Sequence, residues 1–128
     1  MSGAVTTGSP QPPSSTTVDL RVAVVLCSVP PAHAEAIARA LLDQRLAACV
    51  NVIPGVTSLY WWKGAITKDS ESTLLIKTRP ALLGKLTSAI RAVHPYEVPE
   101  VLELQVESGH GSAACHAWVV AETEPFEI

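Results

Sequence analysis

The chain has 128 residues, of which 48% are hydrophobic, and a formal net charge of −3. This length suits one domain with a buried core. The apolar runs are too short to cross a bilayer, so no membrane association is expected. The absence of basic clusters argues against nucleic acid as a partner.

The ends of the chain differ in composition from its middle. Residues 1–17 are rich in Ser, Thr, Pro and Gly without apolar periodicity, which is typical of a disordered leader. We therefore expect one domain at 18–122 and a short tail at 123–128. The leader lacks the basic start and apolar stretch of a secretory signal.

Cys27, Cys49 and Cys115 make an odd number of cysteines without a CxxC motif. Such a set does not indicate a disulfide framework. We expect the thiols to be reduced and the protein to be cytoplasmic.

The first half of the domain alternates between strand and helix patterns. Residues 18–27 form a nearly continuous apolar run, which predicts a strand covered on both faces, or by helices on one face and by partners on the other. Residues 32–47 show helical spacing, with Ile37 and Leu41 on one face and Glu35 on the other. Residues 48–62 return to a strand pattern, in which Pro54-Gly55 predicts a bulge or bend.

The second half begins with a tight reversal at Lys63-Gly64 and a returning strand at 68–78. Pro80 opens a second helix with Leu86 and Ile90 on its apolar face. Residues 101–106 alternate as a strand does, and 112–121 are predicted to form a short helix that carries Trp118.

The resulting order, β-α-β-β-α-β, predicts an α+β ferredoxin-like fold. Right-handed crossovers place the first strand between the fourth and the third, with the second at an edge. Cys27 and His94 then lie near each other at one rim of the sheet. The second strand has about 15 residues against about 10 in the first, which predicts a hairpin overhang on the order of 15 Å at ~3.3 Å per residue.

Tyr60, Trp61 and Trp62 stand in a row near the end of this long hairpin. An exposed apolar edge of this kind promotes aggregation in a monomer. We therefore expect these three residues to lie in an interface, in an oligomer closed by cyclic symmetry. The alternative for Trp61 and Trp62 is a ligand cage.

The segment from His94 to Glu100, HPYEVPE, holds an imidazole, a phenol and two carboxylates between two prolines. Pro95 and Pro99 restrict the backbone to extended conformations, so the segment is a stiff connection and not a helix. It is either a rigid turn between a helix and a strand or a loop that presents polar groups to a ligand or a neighbouring subunit.

These motifs closely resemble the CutA family of divalent-cation tolerance proteins. The matching segments cover nearly all of residues 22–121 in the family's order: VVLCSVP at 24–30, LAACVNVIPGVTSLYWWKG at 46–64, Glu71, LLIKT at 74–78 and HPYEVPE at 94–100. The resemblance implies a ferredoxin-like fold with a long hairpin, assembled as a tight homotrimer similar to the PII signalling proteins. It also implies a link to tolerance of copper and other divalent cations, and it supplies no reaction.

The resemblance places the family's proposed copper ligands on Cys27 and on a His-His pair that here reads Val93-His94. A thiolate and an imidazole suit copper or zinc, but two protein ligands make a weak site, which Glu97, a neighbouring subunit or water would have to complete. The alternative is a structural pair, with Cys27 as a small buried hydrophobe and His94 bonded to backbone.

Two other cysteines have simpler interpretations. Cys49 lies among apolar strand residues and is expected in the core. Cys115-His116, with His110 nearby, is either a peripheral metal patch or an incidental feature of the terminal helix.

Lys77, Tyr96, Glu97 and Glu100 form a second predicted site. Lys77 ends an apolar strand, where its ammonium needs a partner, but within one chain it lies at the rim away from His94. Any contact with the loop must therefore join two subunits. The four residues either line an inter-subunit pocket for a small anionic or metal-chelate ligand or form salt bridges that fix the trimer.

Two functions remain open. The first is a trimeric divalent-cation tolerance protein that binds copper or another divalent metal through Cys27 and His94. The second is a PII-like signalling or scaffold trimer that binds a small molecule or a protein in its inter-subunit clefts. An enzyme ranks last, because the sequence has no triad order, phosphate loop or HExxH motif.

Overall fold

A computed structural model describes residues 21–106 and 111–123, so the predicted leader at 1–17, His110 and all of the tail except Thr123 lie outside it. Its strands are β1 (Ala23–Val29), β2 (Cys49–Trp62), β3 (Ala65–Thr78) and β4 (Leu102–Gln105), and its helices are α1 (Ala34–Asp43), α2 (Leu83–Val93) and α3 (Ala113–Glu122). Single 3-10 turns, Pro31–His33 and Pro80–Leu82, lead into α1 and α2.

The four strands form one antiparallel sheet in the order β2-β3-β1-β4. This is the predicted order and, with the two helices between strands, it confirms the α+β ferredoxin-like fold. Within β1, Val25, Cys27 and Val29 are fully buried, and they pack in one core with Leu41 of α1 and Leu86 of α2. None of the helices in the described ranges is long and apolar enough to span a membrane.

Helix α1 ends at Asp43, four residues before the predicted end at 47. Arg45 adopts a positive φ of 59°, its N–H donates to the Leu42 carbonyl, and the Leu46 N–H donates to the Leu41 carbonyl. This pair of hydrogen bonds is a Schellman motif, which usually has glycine at the left-handed position. Because arginine occupies that position here, the sequence did not indicate the stop.

The β2–β3 hairpin projects farther past β1 than predicted. Strands β2 and β3 have 14 residues each and β1 has only 7. Strand β1 pairs with β3 from Ser72 to Thr78, so residues 65–71 of β3 extend beyond it, by about 23 Å. We call the projecting part, residues 56–71, the arm.

Both predicted backbone irregularities of the hairpin are confirmed. The pairing of β2 with β3 shifts register between Ile53 and Val56, where Gly55 has a φ of +74°. At the tip of the arm, Lys63 and Gly64 both have positive φ, as a two-residue primed turn requires.

The face of the sheet opposite α1 and α2 is partly exposed in the described part of the chain. Its residues alternate with the core residues along each strand, and three of its apolar side chains, Ile53, Leu102 and Leu104, are 43%, 54% and 46% exposed. Leu26 and Leu75 pair across β1 and β3 on this face and are half-buried. We call it the open face. Of the two alternatives predicted for the first strand, it corresponds to the one with helices on one face of the sheet.

Adjacent leucines in α1 provide a test of the core. Leu41 is fully buried and Leu42 is 37% exposed. We expect Leu41→Ala to lower the free energy of unfolding by about 2–5 kcal/mol, because it leaves a cavity. Urea unfolding at a fixed protein concentration measures the loss. The control, Leu42→Ala, should cost clearly less, and equal losses would contradict the assignment of the core face.

Candidate functional site

The His94 side chain joins the end of β1 to the loop after α2. Its ring is buried, Nε2 lies 2.7 Å from the Ser28 carbonyl oxygen, and the Tyr96 N–H donates to Nδ1 at 3.1 Å. A carbonyl oxygen only accepts and an amide N–H only donates, so the ring carries its proton on Nε2 and is neutral. His94 therefore fixes the loop against the sheet and fixes its own tautomer.

Cys27 and His94 lie near each other beside the Ser28 carbonyl, as the predicted topology required. The Cys27 sulfur lies 4.0 Å from the same Ser28 carbonyl oxygen. Burial first, and then the charges of Glu100 and Glu71, raise the pKa of the Cys27 thiol from 9.0 to about 12. The sulfur is therefore a protonated thiol near neutral pH.

This arrangement does not fit a copper ion. A metal needs a free imidazole lone pair, whereas backbone groups engage both ring nitrogens of His94. Within residues 21–106 and 111–123, no three His, Cys, Asp or Glu side chains are grouped as a metal site would require. The geometry matches the structural alternative for both residues.

The loop continues from His94 over the base of the arm. The Tyr96 hydroxyl donates to Glu71 Oε2 at 2.6 Å, and the Ser28 hydroxyl donates to Glu100 Oε1 at 3.2 Å. Burial, followed by the hydrogen bond and charge of Glu71, raises the pKa of Tyr96. Strand end, arm and loop are thus joined by hydroxyl–carboxylate hydrogen bonds.

These segments enclose an open cleft of about 830 Å³. Its floor and loop side hold Ser28, Glu71, Tyr96, Glu97 and Glu100, and its arm side includes Tyr60 and Trp62. The size is that of a small-molecule site. The cleft thus brings together three of the four residues predicted for ligand binding.

The fourth of these residues, Lys77, lies elsewhere in the chain. It pairs with Val24 and Cys49 on the open face, six residues from Glu71 along β3 and so about 20 Å away. Lys77 has no ion pair with any residue that the structure describes. This position agrees with the prediction that Lys77 does not reach the loop at 94–100 within one chain.

The three aromatic residues of the arm point in two directions. Tyr60 and Trp62 line the cleft, and the Tyr60 hydroxyl donates to Asp69. This hydrogen bond, with smaller effects of desolvation and of the Asp69 and Glu71 charges, raises the pKa of Tyr60. Trp61 alternates to the opposite face and is 72% exposed.

The remaining cysteines take no part in this site. Cys49 is half-buried and not in the core, because it lies on the open face, whereas the next residue of β2, Val50, packs against the core. Cys115 is exposed on α3, and His110 lies outside the described residues.

Sequence reasoning gave no role to Glu71 or Ser28. Glu71 is only 5% exposed, although its neighbours toward the arm tip are polar. The available signals for Glu71 were its place among the residues that resemble the family and its position three residues before the apolar run at 74–76. Its partner, Tyr96, is 25 residues away, and no local pattern connects the two.

The structure is thus a ferredoxin-like domain with a projecting β-arm and a cleft at the base of the arm. The profile of the family "CutA1 divalent ion tolerance protein" matches residues 23–122. The chain belongs to this family.

Known relatives agree with this assignment. Mouse "Protein CutA" is 56% identical over 77 residues, which are 60% of this chain and 44% of that protein. The structure of the divalent cation tolerance protein from Thermus thermophilus has a TM-score of 0.76 at 41% identity and covers 80% of this chain and 99% of that one. A "PII-like protein CutA" from Nostoc sp. has a TM-score of 0.78 at 35% identity, with 81% and 99% coverage. The chain spans about half the length of the vertebrate relatives that it matches.

The raised pKa of Cys27 predicts a loss of stability in alkali. Below pH 9.0 the thiol is protonated in both states. Above it, only the unfolded chain releases the proton, so the free energy of unfolding falls toward pH 12, by at most about 1.4 kcal/mol per pH unit.

Urea unfolding between pH 8 and 11 measures this effect. Cys27→Ala should show a shallower decline than the unsubstituted chain. Cys115→Ala, which removes an exposed thiol, should leave the decline unchanged. Parallel profiles for the chain and Cys27→Ala would contradict the buried, protonated state.

Proposed function

We propose that this chain forms a homotrimer in the cytoplasm and acts in divalent-cation tolerance as a non-enzymatic binding protein, with the cleft at the base of the arm as its ligand site. The open face carries the trimer proposal. Leu102 and Leu104 on β4 and Ile53 on β2 are 43–54% exposed across one contiguous sheet face. An apolar surface of this extent is a feature of protein interfaces.

A closed ring of three subunits would cover this face in every copy. An open heterologous contact would instead leave exposed faces at both ends of a filament. The arm supports the same arrangement, because it extends about 23 Å past β1 and carries exposed Leu59, Trp61 and Ile66 on one side. In such a trimer, the predicted interface residues Tyr60, Trp61 and Trp62 lie beside a neighbouring subunit.

Lys77 also supports packing on the open face. Its ammonium lies among apolar strand residues and has no ion pair within the described residues. Burial of an unpaired ammonium is unfavourable. In the trimer, acidic residues of a neighbouring loop, Glu97 or Glu100, would supply the opposite charge.

The cleft, and not the Cys27–His94 pair, is the ligand site of this proposal. The cleft offers about 830 Å³ beside a buried carboxylate and several hydroxyl groups. Copper bound to Cys27 and His94 would require breaking the hydrogen bonds that hold the loop. The cytoplasmic location rests on the three free cysteines, which suit a reducing compartment.

The trimer makes a prediction for two equally exposed residues. Leu104 on the open face and Val93 at the end of α2 are both 46% exposed. We expect sedimentation equilibrium to give three times the 13.5 kDa of one chain, with a melting temperature that rises with protein concentration. Leu104→Glu should shift the mass toward a single chain, because it places a charge in the interface, and Val93→Glu should not. A folded monomer at micromolar concentration would refute the trimer.

The structural role of Cys27 makes a second prediction. Calorimetric titration of the metal-free protein with copper should give the same stoichiometry for the chain and for Cys27→Ala, because backbone groups already engage both ring nitrogens of the neighbouring His94. Cys115→Ala is the control for binding to an exposed thiol. The loss of one copper per chain in Cys27→Ala alone, with the assembly intact, would establish the metal site.

A further inference from the structure

The floor of the cleft holds a buried carboxylate that forms no ion pair with a side chain of the described residues. Glu71 is 5% exposed, and its Oε2 accepts the Tyr96 hydroxyl at 2.6 Å. Its Oε1 has no hydrogen bond, and neither oxygen has an ion pair, within residues 21–106 and 111–123. One neutral hydrogen bond does not compensate a buried negative charge, so a cation is the complementary ligand for this position.

The other charged groups around the cleft have the same sign. Glu97 and Glu100 line it with Glu71, and no Lys, Arg or His is among its lining residues in the described chain. The negative field also acts on nearby groups: the charges of Glu100 and Glu71 contribute to the raised pKa of the Cys27 thiol. A positively charged ligand would therefore be attracted into the cleft and an anion repelled.

The arm side of the cleft is aromatic. Tyr60 and Trp62 form part of this wall, and Tyr96 faces them from the loop. Aromatic faces attract ammonium and guanidinium groups. Trp62 already makes such a contact at the arm tip, where Lys63 Nζ lies 5.6 Å from the centroid of its ring.

A hard metal ion fits this arrangement less well than an organic cation. Ca²⁺ takes 6–8 oxygen ligands and Mg²⁺ requires near-octahedral geometry, whereas the described residues contain no group of three ligand side chains. Glu71 and Glu100 each accept a different hydroxyl group and do not share one centre. Aromatic walls add nothing to the binding of a metal ion but contribute directly to the binding of an organic ammonium.

We infer that the cleft binds an organic ammonium group, which pairs with Glu71 and lies against the rings of Tyr60, Trp62 and Tyr96. This inference rests on the proposed role of the cleft as the ligand site and specifies the class of its ligand. The ammonium can come from a free small-molecule amine or from a lysine of another copy, for which Lys77 is the candidate. The two sources share one chemistry, and experiment separates them.

The test is calorimetric titration of the full chain at low salt with 1,4-diaminobutane, compared with 1,4-butanediol, which has similar length without charge. We expect the diamine alone to bind. Glu71→Gln should weaken its binding by at least about tenfold, since it removes the paired charge, while the Tyr96 hydroxyl can still donate to the amide oxygen. Glu100→Gln, a second variant within the cleft, should weaken binding in the same direction. Glu103→Gln, on exposed β4 outside the cleft, is the matched control and should not change it.

Lys77→Ala separates the two sources. If a lysine of another copy fills the cleft, the diamine should bind to Lys77→Ala and not to the unsubstituted chain, again in a Glu71-dependent manner. Diamine binding to the unsubstituted chain identifies a free amine as the ligand. Either result supports the inference.

Three results would overturn it: no diamine binding to either the chain or Lys77→Ala, equal binding of the diol, or binding that Glu71→Gln leaves unchanged. Glu71-dependent binding of Mg²⁺ without diamine binding would assign the cleft to a metal and also reject it. Sedimentation of the same samples tests the trimer separately from the ammonium site, because the residues that line the cleft belong to one chain. A monomer that binds the diamine would refute only the trimer. A trimer that binds no diamine, either as the unsubstituted chain or as Lys77→Ala, would refute only the ammonium site.

Discussion

Strand β3 is twice as long as strand β1, and the main functional features of the molecule depend on this difference. Where β1 ends at Val29, β3 loses its partner on one side and continues with β2 as the arm. The position next to the arm, which a longer β1 would have filled, is taken by the loop from His94 to Glu100. The cleft exists because the loop, and not another strand, lies beside the arm here and lines the space between them with polar side chains.

The loop can occupy that position because its polar groups find partners on the sheet. Pro95 and Pro99 limit the conformations that the unfolded segment can adopt, which lowers the entropic cost of ordering it. Both ring nitrogens of His94 then form hydrogen bonds with backbone groups, and the Tyr96 hydroxyl donates a hydrogen bond to Glu71. Each hydrogen bond alone contributes about 1 kcal/mol to stability, but together they hold the loop in one position relative to the arm.

Family membership and site chemistry lead to different conclusions about Cys27 and His94. The family is named for divalent ion tolerance, and the topology does bring these two side chains together. Proximity is nevertheless insufficient for metal binding, because ligation also requires deprotonated, unoccupied donor atoms. Here burial raises the pKa of the thiol, and backbone groups already engage both nitrogens of the imidazole. The carboxylates of the cleft, Glu71 in the arm and Glu97 and Glu100 in the loop, have no ion pair within the described residues.

The sequence by itself determined the fold and its irregular positions. Apolar periodicity fixed the order of elements, crossover handedness fixed the order of strands, and Pro54-Gly55 and Lys63-Gly64 marked the bulge and the turn, because each of these signals is local. It also determined that Cys27 and His94 meet and that Lys77 does not join them.

Only the tertiary structure decided where α1 stops, how far the arm projects and what the polar residues do. Arg45 takes a left-handed conformation that its residue type does not indicate, and β1 is shorter than its apolar run. Glu71 becomes part of the site only when Tyr96 reaches it across 25 residues of chain. The protonation of Cys27 and the unpaired charge of Glu71 likewise depend on which groups surround them in space, and neighbours distant along the chain leave no local pattern in the sequence.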